Sequence, residues 1–130
     1  MKVMLIGASG YVGSTLLAEA LRRGHEVTAL VRNIGKITPR AGVTPLAVDV
    51  LETASLARAM SGHAAVISAF SDHAQTQVHS MRTGKFRLGT DELLVNADGD
   101  SYISVEDYAV AMLDELERPA HPRQRFTAGY

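Results

Sequence analysis

The sequence predicts an α/β fold, a doubly wound parallel sheet of strand order 3-2-1-4 followed by a C-terminal hairpin and helix. Three observations carry this reading. The glycine run Gly7-Ala8-Ser9-Gly10-Tyr11-Val12-Gly13 stands directly behind the apolar run Val3-Met4-Leu5-Ile6. Strand and helix patterns then alternate through the first half of the chain, which calls for parallel strands joined by right-handed crossovers. From Ser71 onward the alternation breaks, and a polar turn at 96–100 leads into one capped amphipathic helix.

Each element has its own justification. A continuous apolar run predicts a buried strand over 2–6. Val12, Leu16, Leu17, Ala20 and Leu21 share one face of a helix over 11–23, and Gly24 stops it in a left-handed C′ position. Residues 26–31 are β-branched and aliphatic and form a second strand. A third strand covers 44–48, a short helix covers 53–60 before Ser61-Gly62, and a fourth strand covers 64–69. Residues 71–80 are polar and unpatterned, a loop or a weak helix. A short strand is expected over 85–88. Residues 93–95 and 101–103 flank Asn96-Ala97-Asp98-Gly99-Asp100 as a hairpin. Ser104 N-caps a helix over 105–118, with Asp107 in a capping-box-like position, and Pro119 ends it. Residues 125–127 form a final strand. No repeat and no low-complexity tract interrupts this order.

Composition bounds the rest. The 130 residues suit a single domain, able to bury roughly two-thirds of its unfolded surface. A net charge of −1, from 13 basic and 14 acidic residues without a block of like sign, argues against nucleic-acid or membrane partners. Without cysteine there are neither disulfides nor thiolate metal sites. The N-terminal apolar run is too short for a signal peptide or membrane span, so a cytoplasmic protein is expected.

The glycine run has a specific chemical meaning. A strand that ends in a glycine turn and opens into a helix presents backbone N–H groups to a pyrophosphate. Gly7 allows the tight turn, Gly10 admits the phosphates, and Gly13 allows close packing of the helix. The spacing is GxxGxxG rather than GxGxxG. At the end of the second strand, where an acidic residue would hold the ribose 2′-hydroxyl of NAD, stand Arg32 and Asn33, with Lys36 and Arg40 further on. A guanidinium there grips a 2′-phosphate, so NADP is expected over NAD; the plainer alternative is a solvated surface arginine. Asp49 and Val50 are candidates for the adenine ring, with Asp49 as a turn or N-cap residue the alternative. Ser68, Ala69 and Phe70 end the fourth strand beside the first, where small residues let a cofactor lie across the strand ends.

The stretch MKVMLIGASGYVGSTLLAEALRRGHEVTALVRN, with LAVDV, AAVISAF, TGKFRLG and ISVEDYAVAMLDELERP, resembles the atypical short-chain dehydrogenases. Among these are the biliverdin-IXβ and flavin reductases and bacterial NAD(P)H-flavin reductase-like proteins. The resemblance implies a Rossmann-type domain that binds NADP(H) through Gly7, Ala8, Ser9, Gly10, Tyr11, Val12, Arg32, Asn33, Asp49, Val50, Ser68, Ala69 and Phe70. It also implies hydride transfer to a flavin-like or similar conjugated small-molecule acceptor. Such reductases are longer, with two more parallel strands and their helices between the fourth strand and the tail. That portion supplies the far wall of the nicotinamide pocket, so the adenosine half of the site is expected intact and the chemical half reduced. A non-catalytic NADP(H)-sensing module, as in nitrogen-regulator-like relatives, is the alternative. The open edge of the fourth strand and the helix over 105–118 also suggest a homodimer.

No tyrosine has a lysine four residues later, which sets aside alcohol–ketone chemistry by the usual Tyr-x-x-x-Lys pair. No catalytic residue is nominated firmly; His73 is the nearest candidate proton donor, with an exposed loop histidine the plainer reading. His25, His63, His73, His79 and His121 lack metal-ligand spacing. Residues 96–107 line up with a calcium-binding EF-hand loop, but Ser101 replaces the turn glycine and Asp107 the bidentate glutamate. No metal site is expected.

Overall fold

The structure, a computed structural model, describes residues 1–69, 81–92 and 94–130. The chain forms two compact units, Met1–Ala74 and Gln75–Tyr130. The expectations for 71–80, including His73 and His79, and for Phe70 and Leu93, lie outside the described residues.

The first unit holds β1 (Lys2–Ile6), α1 (Tyr11–Arg22), β2 (Glu26–Val31), β3 (Val43–Ala47), α2 (Thr53–Met60) and β4 (Ala65–Ser68). Its four strands are all parallel and lie in the order β3-β2-β1-β4, as the alternating pattern predicts. Leu5 pairs with Ala29 on one side and Ile67 on the other. The central strands β1 and β2 are buried beyond their first residue, because an apolar run in a parallel sheet meets cover on both faces. On one face Met4, Ile6 and Leu30 pack with Leu56 and Ala59 of α2. Helix α1 packs on β1 and β2 and buries Leu16, Leu17 and Ala20.

Gly24 ends α1 as expected, with φ +81° and the paired bonds of a Schellman cap. Its N–H donates to the Leu21 carbonyl at 3.0 Å, and that of His25 to the Ala20 carbonyl at 3.1 Å. Only a 3₁₀ turn, Ile34–Lys36, joins β2 to β3, so β3 lacks a full helical cover and is largely exposed. Pro45, which cannot donate to a ladder, sits in this edge strand. His63 donates through Nδ1 to the Met60 carbonyl at 3.2 Å. That leaves Nε2 to accept from the buried Thr28 hydroxyl at 2.7 Å, so this histidine is structural.

The second unit holds β5 (Arg87–Gly89), α3 (Val105–Glu117) and β6 (Thr127–Gly129). The expected hairpin is corrected here. The Asn96–Asp100 turn forms, with Asn96 Oδ1 accepting from the Asp98 and Asp100 N–H groups at 2.9 and 3.0 Å. Its flanks at 94–95 and 101–103 carry no strand; β5 pairs antiparallel with β6 near the C-terminus instead. A single bond from the Tyr130 N–H to the Tyr102 carbonyl takes the place of a local ladder. Arg87 fixes this arrangement, donating to the carbonyls of both Val95 and Tyr130.

Helix α3 begins as the sequence predicts, with Ser104 Oγ accepting from the Asp107 N–H at 3.0 Å. The reciprocal half of a capping box is not made. The Asp107 carboxylate is fully buried and accepts from the N–H groups of Thr83 and Gly84, both at 2.9 Å, and from the hydroxyls of Thr83 at 2.6 Å and Tyr130 at 2.5 Å. Burial pushes its pKa up, but these hydrogen bonds outweigh that and hold it below the ordinary aspartate value. One carboxylate thus ties residues 83–84, the start of α3 and Tyr130 together.

Candidate functional site

The strand β1 delivers the chain into the glycine turn. Gly7 adopts φ +80°, a left-handed conformation that favours glycine, while its N–H donates to the Leu30 carbonyl at 3.0 Å. The chain then reverses, with the Gly10 N–H bonded to the Gly7 carbonyl at 3.1 Å, and α1 opens at Tyr11. Gly13 is required for a steric reason: a Cβ there would stand 1.9 Å from the Gly7 carbonyl oxygen. The helix therefore approaches the turn more closely than any side chain allows. At Gly10 a Cβ would meet only the Gly7 oxygen at 3.4 Å, an ordinary contact, so that position is needed for space rather than for the fold. No side chain caps α1 and no acidic residue lies in its first turn, so its positive end is left for an anion.

Above the carboxyl ends of the strands lies a crevice of about 170 Å³. Gly7, Ser9 and Gly10 form one side, and Ile6, Leu30, Val31, Val48 and Val50 give it an apolar floor and wall. Arg32 lines it from the end of β2 and Ala69 from beyond β4. Arg32 is exposed, and among the described residues no acidic side chain pairs with it. A small cavity of this size accommodates part of a dinucleotide, since pockets for drug-sized ligands run to roughly 300–1,000 Å³.

The structure thus brings together Gly7, Ser9, Gly10, Arg32, Val50 and Ala69 of the residues expected at the site. Ala8 is buried beneath the turn, and Tyr11, Val12 and Ser68 flank the crevice without lining it. Asn33 caps the 3₁₀ turn, its Oδ1 accepting from the Gly35 N–H at 2.9 Å. Asp49 takes the turn role that was its alternative, with Oδ1 accepting from the Leu51 N–H at 2.9 Å. Lys36 and Arg40 do not line the crevice. Ile6, Leu30, Val31 and Val48 were missed as site residues. Their signal was position, since ligands in open α/β sheets gather at the carboxyl ends of strands.

Among the described residues no cluster of three or more His, Asp or Glu is placed to hold a metal ion. In the calcium-like pattern Asn96 Oδ1 already accepts two N–H bonds, and both oxygens of Asp107 are engaged internally. No helix among them is long and apolar enough to cross a membrane.

A family model described as NAD(P)H-binding matches residues 7–117, spanning the glycine turn, the crevice and α3. The chain belongs to the NAD(P)H-binding family. Within this family's reach, an uncharacterized Bacillus subtilis protein, YwnB, is 31% identical over 98% of this chain and 97% of its own length. A Bacteroides thetaiotaomicron structure, named as a candidate epimerase, is 31% identical with a TM-score of 0.92, over 99% of this chain and 96% of that one. A Streptococcus pneumoniae structure, named as a candidate NADH-flavin reductase, has a TM-score of 0.80 over 99% of each chain but only 22% identity. That last likeness shows the fold alone. The Bacillus alignment runs over 210 residues against 130 here, so at least 80 residues inside the aligned span have no counterpart in this chain.

Proposed function

We propose that the crevice binds NADP(H), and that the chain serves hydride transfer to a flavin-like or similar conjugated acceptor. The observation that carries the cofactor choice is Arg32, an exposed guanidinium without an acidic partner among the described residues, in the same crevice as the glycine turn. A 2′-phosphate placed there gains charge-assisted bonds, whereas the ribose hydroxyl of NAD finds no carboxylate at this position. The fit extends to the rest of the adenosine half. The apolar surfaces of Leu30, Val48 and Val50 suit an adenine face, and the uncapped start of α1 suits the diphosphate.

The bound dinucleotide supplies the hydride, and ring stacking against the acceptor provides much of the rate. The chain's own task is therefore to hold and orient the cofactor. The sequence offers no Tyr-x-x-x-Lys pair for proton transfer. The second reading, a non-catalytic NADP(H)-binding module, is favoured by the residues that the Bacillus relative has and this chain lacks. An NADPH-oxidation assay with free flavin separates the two. Turnover that is lost in Gly10→Val supports the reductase, and binding without turnover supports the module.

A further inference from the structure

The face of the sheet that receives α2 changes character along its strands. Toward the carboxyl ends Met4, Ile6 and Leu30 pack against Leu56 and Ala59 of α2. Residues two apart on a strand share a face, so Lys2 shares this one with Met4, and Glu26 and Thr28 share it with Leu30. Thr44 of β3, in register with Thr28, joins them. At this amino end the four polar side chains line a cavity of about 300 Å³, larger than the crevice of about 170 Å³ at the other end of the same strands.

The lining divides by charge and by hydrogen-bonding role. Lys2 and Glu26 are in register on adjacent strands, which lie about 4.8 Å apart. Both are exposed, and among the described residues neither side chain makes an ion pair or hydrogen bond. Thr28 is buried, and its hydroxyl proton is committed to His63 Nε2 at 2.7 Å, because Nδ1 of that ring donates to the Met60 carbonyl. The Thr28 oxygen can therefore only accept from a ligand. Glu26 and Thr28 stand two residues apart on one face, where a single ammonium can donate to both, and the Lys2 ammonium beside them suits a carboxylate. We propose that this cavity is a second binding site, for a free α-amino acid. Its ammonium is held by Glu26 and Thr28 and its carboxylate by Lys2, while the Thr44 hydroxyl is left for a polar contact with either group. The site shares no residue with the crevice, so the proposal stands apart from the NADP(H) reading.

Nuclear magnetic resonance of the intact, ¹⁵N-labelled chain, titrated with glycine, L-valine and L-glutamine, tests this. The expected result is that at least one of them shifts the amides of residue 2, 26–28 and 42–44 and saturates with a dissociation constant of about 1 mM or tighter. No saturation by any of the three below about 20 mM, or shifts centred elsewhere, would overturn the proposal. The amide of the bound amino acid, which lacks the carboxylate, and its deaminated acid, which lacks the ammonium, should each bind at least about tenfold more weakly. Equal binding of either analogue would overturn the pairing of two charges. Lys2→Gln and Glu26→Gln, at exposed positions, should keep the urea midpoint and each weaken the amino acid at least about tenfold. Unchanged affinity in either folded variant would also overturn the proposal, and the comparison of analogues on the wild-type chain decides the matter should a variant not fold.

Discussion

Replacing Gly13 with alanine sets two effects of opposite sign against each other. Within a helix, Gly→Ala ordinarily stabilises by about 1 kcal/mol, because alanine loses less backbone freedom on folding. At this position the new Cβ would lie 1.9 Å from the Gly7 carbonyl oxygen, 2.8 Å from its carbon and 3.1 Å from Ala8 Cα. All three are backbone atoms of the turn, so no side chain can rotate away. Helix and turn must separate, and overpacking of this kind costs about 1–3 kcal/mol, occasionally more. Sterics should therefore cancel or exceed the propensity gain, leaving Gly13→Ala less stable by about 0–2 kcal/mol. The functional effect should be larger than the stability effect. The displaced turn is the one to which the proposed reading assigns the diphosphate, and each charge-assisted hydrogen bond lost there is worth about 1.5–3 kcal/mol, or at least tenfold in affinity. Urea denaturation and NADPH calorimetry on the same preparation measure both quantities. A variant more stable than the parent, with unchanged NADPH affinity, would refute the steric reasoning.

Four further outcomes follow from the same geometry. Gly10→Val, whose Cβ meets only an ordinary 3.4 Å contact, should keep its circular dichroism and urea midpoint yet lose NADPH binding; retained binding would make the motif merely structural. Asp107→Asn should lower stability, by about 1–3 kcal/mol for each buried donor left unpaired, read as a drop in urea midpoint at neutral pH. Because the Asp107 pKa is depressed in the folded chain, its contribution is full above the ordinary value of 3.8 and is lost as pH falls through the folded value. Wild-type stability should accordingly fall more steeply than that of Asp107→Asn in acid titrations below about pH 4. The β4 edge, with Val66 37% exposed, should support self-association, so light scattering is expected to report a dimer that Val66→Lys weakens.

The parts of the fold that were legible in the sequence are those fixed by short-range rules. The apolar runs of β1 and β2, Gly24 at the end of α1 and Ser104 at the start of α3 each determine a local conformation. The structure places β1, β2 and α2 at the predicted bounds and the other elements that form within two residues. Pairing over a long sequence distance was not legible. Nothing local in 87–89 announces a partner at 127–129, so the nearer turn at 96–100 suggested a hairpin that does not form. The site divides along the same line. Gly7, Gly10 and Arg32 stand out by residue type in a motif, whereas Leu30 and Val48 look like core until the sheet order puts their strand ends together. Asn33 and Asp49 carry side chains suited to a ligand, but each satisfies a neighbouring backbone N–H first.

The central claim is that Arg32 turns a glycine-turn crevice into an NADP(H) site, and parallel calorimetric titrations with NADPH and NADH test it most directly. The wild-type chain should bind NADPH at least tenfold more tightly, since one charge-assisted bond to a 2′-phosphate is worth about 1.5–3 kcal/mol. Arg32→Asp should erase or reverse that preference while leaving the urea midpoint unchanged. Equal affinities of the wild-type chain for the two cofactors would contradict the account.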